Sequence, residues 1–108
     1  MDALTSGACN IGLGTEALGQ VTTGSENIAL GHDALGQATL TGSGNIAIGQ
    51  AAMDALLAGA CNVALGYNAL GAATSGNRNI AIGETAMGGG SGNAGENFVV
   101  GDSAGYNL

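Results

Sequence analysis

Few side chains in this 108-residue chain could act on another molecule, and the most regular of them are carboxamides. Asparagine recurs at Asn10, Asn27, Asn45, Asn62, Asn79 and Asn97, with separations of 17, 18, 17, 17 and 18 residues. A carboxamide both donates and accepts, so amides stacked in one column can each bond to the next, as in other stacked β structures. That is structural chemistry rather than catalysis. A catalytic centre needs His or paired carboxylates converging with a nucleophile or a metal. Here His32 is the sole histidine and Arg78 the sole basic residue. Glu16 and Asp33 occupy equivalent places in consecutive repeats and form a carboxylate pair, suited to a weak cation or a raised pKa. Ala51, Asn68, Thr85 and Ser103 do not continue that column. Cys9 and Cys61 lie three repeats apart, an axial separation of about 14 Å. A disulfide tolerates roughly 7 Å between Cα atoms, so they read as small core-facing hydrophobes. The run Gly88-Gly89-Gly90-Ser91-Gly92 lacks the lysine and the helix of a phosphate loop. The expectation is no catalytic residue, no cofactor site and no metal site.

Each asparagine opens a short phrase, as in Asn27-Ile28-Ala29-Leu30-Gly31 and Asn79-Ile80-Ala81-Ile82-Gly83. Counting Asn as position zero, position four is always glycine: Gly14, Gly31, Gly49, Gly66, Gly83 and Gly101. Two variable, mainly polar residues follow, then Ala at position seven and in five copies Leu or Met at position eight. A period this short cannot hold two helices and a turn, but it fits one coil of a β-solenoid. The fold expected is all-β, a parallel solenoid of about six coils forming a single domain over residues 1–108. Glycine at position four marks the corner that ends each strand, since only glycine takes positive φ cheaply. Met1 to Asn10 matches Met53 to Asn62 at eight of ten places, which points to duplication of a three-coil unit. At about 4.8 Å per layer the stack would stand roughly 29 Å tall.

Side chains alternate along a strand, so positions one and three share one face and position two takes the other. The large residues at one and three are read as filling the coil. The small face of Ala29, Ala47, Ala64 and Ala81 is then the contact between chains. Phe98, Val99 and Val100 form the most apolar copy of the phrase and are added to that interface. Solenoid ends carry open strand edges, so end-to-end stacking is expected as well. Met1 falls at position eight of its coil and Leu108 at position eleven of the sixth.

Composition narrows the partners. The chain has 22 Gly and no Pro, against averages of about 7% and 5%. Apolar residues at fixed repeat positions separate it from low-complexity disorder. A net charge of −7 argues against nucleic acid and against anionic membrane surfaces. No stretch of about 18 apolar residues is present to cross a bilayer. No signal peptide is visible, which fits release by another route, a fragment or a mature form.

The phrase Asn62-Val63-Ala64-Leu65-Gly66-Tyr67-Asn68-Ala69-Leu70 resembles the head repeats of trimeric autotransporter adhesins. It is as similar to shaft and tip repeats of phage tail fibres, and the likeness runs from Asn10 to Ala104. It implies a left-handed parallel β-roll, commonly homotrimeric, serving attachment or acting as a rigid spacer. The coil here is longer than in adhesin heads, and no stalk or membrane anchor is visible, which favours a fibre component or an excised module. The expected function is therefore a non-enzymatic structural building block of an extracellular or virion fibre. Its partner is itself, as a homotrimer, an end-to-end filament or both, with adhesion to a cell-surface glycan or receptor a further role. An ice- or surface-binding solenoid would need a regular Thr array, which Thr22, Thr23, Thr39, Thr41 and Thr74 do not make. A carbohydrate-binding or processing tailspike-like module would need longer loops and a carboxylate cluster.

Overall fold

The computed structural model describes residues 6–37, 39–89 and 94–107, so Met1 and Leu108 lie outside the described residues. Each phrase forms one three-residue strand: β1 Ile11–Leu13, β2 Ile28–Leu30, β3 Ile46–Ile48, β4 Val63–Leu65, β5 Ile80–Ile82 and β6 Phe98–Val100. The six strands make one parallel sheet in sequence order. Every strand pairs with the next in repeat register, Ile11 with Ile28, Ile28 with Ile46 and so on to Ile80 with Phe98. The chain is a parallel β-solenoid, and no helix occurs among the described residues. Its longest dimension is 34 Å.

The asparagines stand in one column, and four of them are wholly buried. Each Oδ1 accepts the backbone N–H of the next asparagine, from Asn27 to Asn10 at 2.9 Å through to Asn97 to Asn79 at 3.1 Å. From Asn10 to Asn79, each Nδ2 donates to a carbonyl in the closing segment of the following layer. Asn45 reaches Gly59 at 2.9 Å and Asn62 reaches Gly76 at 2.7 Å. Amide also meets amide directly, Asn62 Nδ2 donating to Asn45 Oδ1 at 3.1 Å. The ladder thus ties the start of each strand to the segment that leads into the next strand, inside the core.

Parity then decides the faces. With position zero pointing inward, position two points inward and positions one and three point out. Ala29, Ala47, Ala64 and Ala81 are accordingly fully buried in the chain's own core. This corrects the expected orientation: the alanine face is not a contact between chains. The reason is lumen width, because the opposite wall drives Leu18, Leu35, Met53, Leu70 and Met87 into the same narrow space. A small residue must face a large one for the layers to fill. The sixth layer reverses that pair. Gly105 stands where the others have Leu or Met, and its missing Cβ would meet the Val99 methyls at 3.2 Å. Val99, larger than Ala, packs on the core from position two.

Beyond each strand the position-four glycines turn the corner at φ between 127° and 132°. A Cβ on Gly66 would lie 2.6 Å from the Gly83 carbonyl oxygen, so even alanine is excluded by the next layer as well as by φ. Successive tight turns follow, closed in the first coil by Ala17 N–H to Gly14 O at 3.2 Å and Gly19 N–H to Glu16 O at 2.9 Å. Among the described residues, all sixteen non-glycine residues with positive φ fall in three columns, at positions minus one, six and eight. The position-eight column uses this left-handed backbone while its Leu and Met side chains sit in the core.

The ladder predicts a steep cost for Asn62→Ala. The backbone N–H of Asn79 and the carbonyl of Gly76 would both lose buried partners, at about 1–3 kcal/mol each. Urea unfolding should show a loss of about 3 kcal/mol or more. Asn62→Asp keeps the acceptor but not the donor, and should lose least stability at acid pH. A loss under about 1 kcal/mol for the alanine variant would show that the ladder does not organise the fold.

Candidate assembly interface

The outward strand face carries two columns of side chains. One is Ile11, Ile28, Ile46, Val63, Ile80 and Phe98, the other Leu13, Leu30, Ile48, Leu65, Ile82 and Val100. All twelve are apolar and none is buried. Exposure reaches 71% at Leu13 and 73% at Phe98, with Ile48 at 39% in the middle of the sheet. Parallel strands about 4.8 Å apart make this one flat strip rather than scattered residues. A contiguous apolar strip of this kind, rimmed by polar columns, marks an interaction surface rather than scattered exposed residues. Phe98 and Val100 are exposed on this face, Val99 packs on the core, and the large residues of β1 to β5 stand outward where the alanines were expected. The signal was present in the sequence: asparagine at position zero shares its parity with position two.

Charges keep to other columns. Position minus one is a ridge beside the strip, carrying Cys9, Glu26, Cys61, Arg78 and Glu96. Arg78 Nη1 lies 3.2 Å from Glu96 Oε1, an exposed pair that contributes little. Cys9 and Cys61 are exposed and free, which corrects their expected core-facing position. They precede inward-pointing asparagines and so point outward.

At the tips, Asp33 accepts from Gln37 Nε2 at 2.9 Å and pairs with His32 Nδ1 at 3.0 Å. Among the described residues no three His, Cys, Asp or Glu side chains come together as a metal site. Asp54 occupies position nine, where the other coils have Gly19, Gly36, Gly71, Gly88 and Tyr106. Burial pushes its carboxyl above the usual range, and the nearby Asp33 charge adds to the rise.

Fold and surface together define a β-solenoid repeat protein with one wholly apolar strand face. Compared with known proteins, the chain matches no family model, no curated sequence and no solved structure.

The raised Asp54 pKa fixes a sign. The native state holds this proton to higher pH than the unfolded chain, whose carboxyl keeps its ordinary pKa. Stability from this group is therefore greatest in acid and falls as pH rises from the unfolded value through the native one. Asp54→Asn should be more stable than the parent at pH 7, with the difference shrinking toward pH 4 in paired urea titrations. A difference that stays constant over that range would place the effect elsewhere.

Proposed function

We propose that this protein is a non-enzymatic structural building block of an extracellular or virion fibre, assembled from copies of itself. The observation that carries the reading is the twelve-residue apolar strip on the outer strand face. A strand face apolar on both sides is normally covered on both sides, and identical strips supply matched covers to one another. Copies packing these faces around a shared axis parallel to the stack would bury all six layers at once. The homotrimer implied by the tail-fibre and adhesin resemblance is the arrangement we favour. Strand edges at the two ends add a second route to self-assembly. The role is mechanical: backbone ladders resist extension along the axis, and the apolar strip holds chains side by side. Tips such as His32-Asp33 and Tyr67-Asn68 remain outside that contact, available for adhesion to a surface glycan or receptor.

Light scattering on the purified chain tests the reading. The native particle should have a mass that is a multiple of 10.2 kDa. Ile46→Glu with Ile48→Glu should release monomers that keep the parent circular dichroism, because each buried carboxylate in the contact costs several kcal/mol. Ala47→Glu should instead unfold the coil, since that side chain lies in the core. A monomeric parent at tens of micromolar, or a double variant with the parent's assembled mass, would overturn the assignment.

A further inference from the structure

The two outer edges of the solenoid, β1 and β6, fit each other. In every layer after the first, the amides at positions minus one, zero, four and six donate to the layer before. In the last layer these are Glu96 to Asn77 O, Asn97 to Asn79 Oδ1, Gly101 to Ile82 O and Ser103 to Glu84 O, at 2.8–3.1 Å. Their counterparts in the first layer, Cys9, Asn10, Gly14 and Glu16, find no acceptor among the described residues. At the other end, Asn97 Oδ1 and the carbonyls of Gly95, Val100 and Asp102 are the acceptors such amides would use. The end layers also differ from the interior in opposite ways. Position two is Gly12 in the first layer and Val99 in the sixth, while position eight is Leu18 and Gly105. Stacked, the large residue of each layer faces the small one of the other. Phe98 would lie over Ile11 and Val100 over Leu13, extending the apolar columns.

We propose that a second copy of this chain stacks head to tail on the first, its β1 pairing in register with β6. The Asn10 amide then donates to Asn97 Oδ1, and the asparagine ladder runs from copy to copy. The inference rests on the self-assembling reading above and adds the contact along the fibre axis. Unpaired strand edges of matched register recruit a further strand readily. Residues 1–4 repeat the sequence of residues 53–56, positions eight to eleven of the third coil, the positions that begin at Gly105 in the sixth, so the test includes a variant without them.

Position six offers a cross-link away from the apolar strip, because Thr85 Oγ1 and Ser103 Oγ of adjacent layers lie 2.9 Å apart. In chains carrying Cys9→Ser and Cys61→Ser, Glu16→Cys is placed in one preparation and Ser103→Cys in another. Mild oxidation of the mixture should yield a disulfide-linked dimer between the two, and neither preparation alone should. A chain with both substitutions should give a ladder of covalent multimers, at lower concentration once residues 1–4 are removed. The same double-cysteine chain with Ile46→Glu and Ile48→Glu separates the two contacts. A covalent ladder surviving there places stacking apart from side-by-side packing. No mixed dimer, with or without residues 1–4, or same-preparation dimers in equal yield, would overturn the stack even where side-by-side assembly persists.

Discussion

A buried amide ladder constrains everything else in this molecule. A carboxamide inside an apolar lumen is tolerated only if its donors and acceptor are engaged. Here both ends of the amide reach the next layer, so each asparagine is satisfied only when the following coil arrives in register. That requirement fixes the repeat length to the point where 17 and 18 residues both close the coil, the extra residue falling in the closing segment. It also fixes which way every strand faces. Alternation from an inward asparagine sends the alanines in and the isoleucines and leucines out, whatever the hydrophobicity of each would favour alone.

The narrow lumen has its own cost. To enclose so thin a core the chain reverses direction within a few residues, and it does so with left-handed backbone at Glu16, Leu18 and their counterparts. An L-residue pays roughly 1–2 kcal/mol for that conformation, yet only Gly44 and Gly105 relieve it in the three columns concerned. At position eight the Leu and Met side chains are buried, and a glycine would forfeit their packing. At position six no such gain is evident for Ala51, where φ is 57°. The layers offset these local penalties collectively, since the amides at position eight are held by the coil after and, beyond the first coil, those at position six by the coil before.

The period, the strand register, the asparagine column and the glycine corners were legible because each depends on spacing alone. A column of Asn at 17 or 18 residues can stack in one way, and a glycine against the next layer's carbonyl leaves no alternative. The facing of the strand does not follow from size and hydrophobicity, because parity decides it. Ile28 and Leu30 are better core residues than Ala29 in isolation, but Asn27 had already taken the inward side. The left-handed leucines were hidden for a different reason. Leucine gives no local sign of positive φ, and only the bonded turns between Gly14 and Val21 reveal the demand. The exchange of Ala and Leu for Val99 and Gly105 was visible as residue types, but its meaning requires knowing that positions two and eight touch.

Charge placement sets the apolar strip apart from the rest of the surface. The chain carries a net charge of −7, yet no acidic residue occurs among the twelve strip positions. Glu26 and Glu96 stand on the neighbouring ridge, while Glu16, Asp33, Glu84 and Asp102 sit at the tips. Like charges on those surfaces oppose approach from any side except the strip, where attraction is apolar and repulsion has no local source. In the self-assembly we propose, association is thereby directed without a specific polar code. A regular array of identical layers has no other means to choose one side of itself, since each layer offers a neighbour the same backbone groups. The outward strand face is the one surface on which the repeat keeps strictly to a single chemistry, and the acidic tips and ridge supply the contrast that makes it selective.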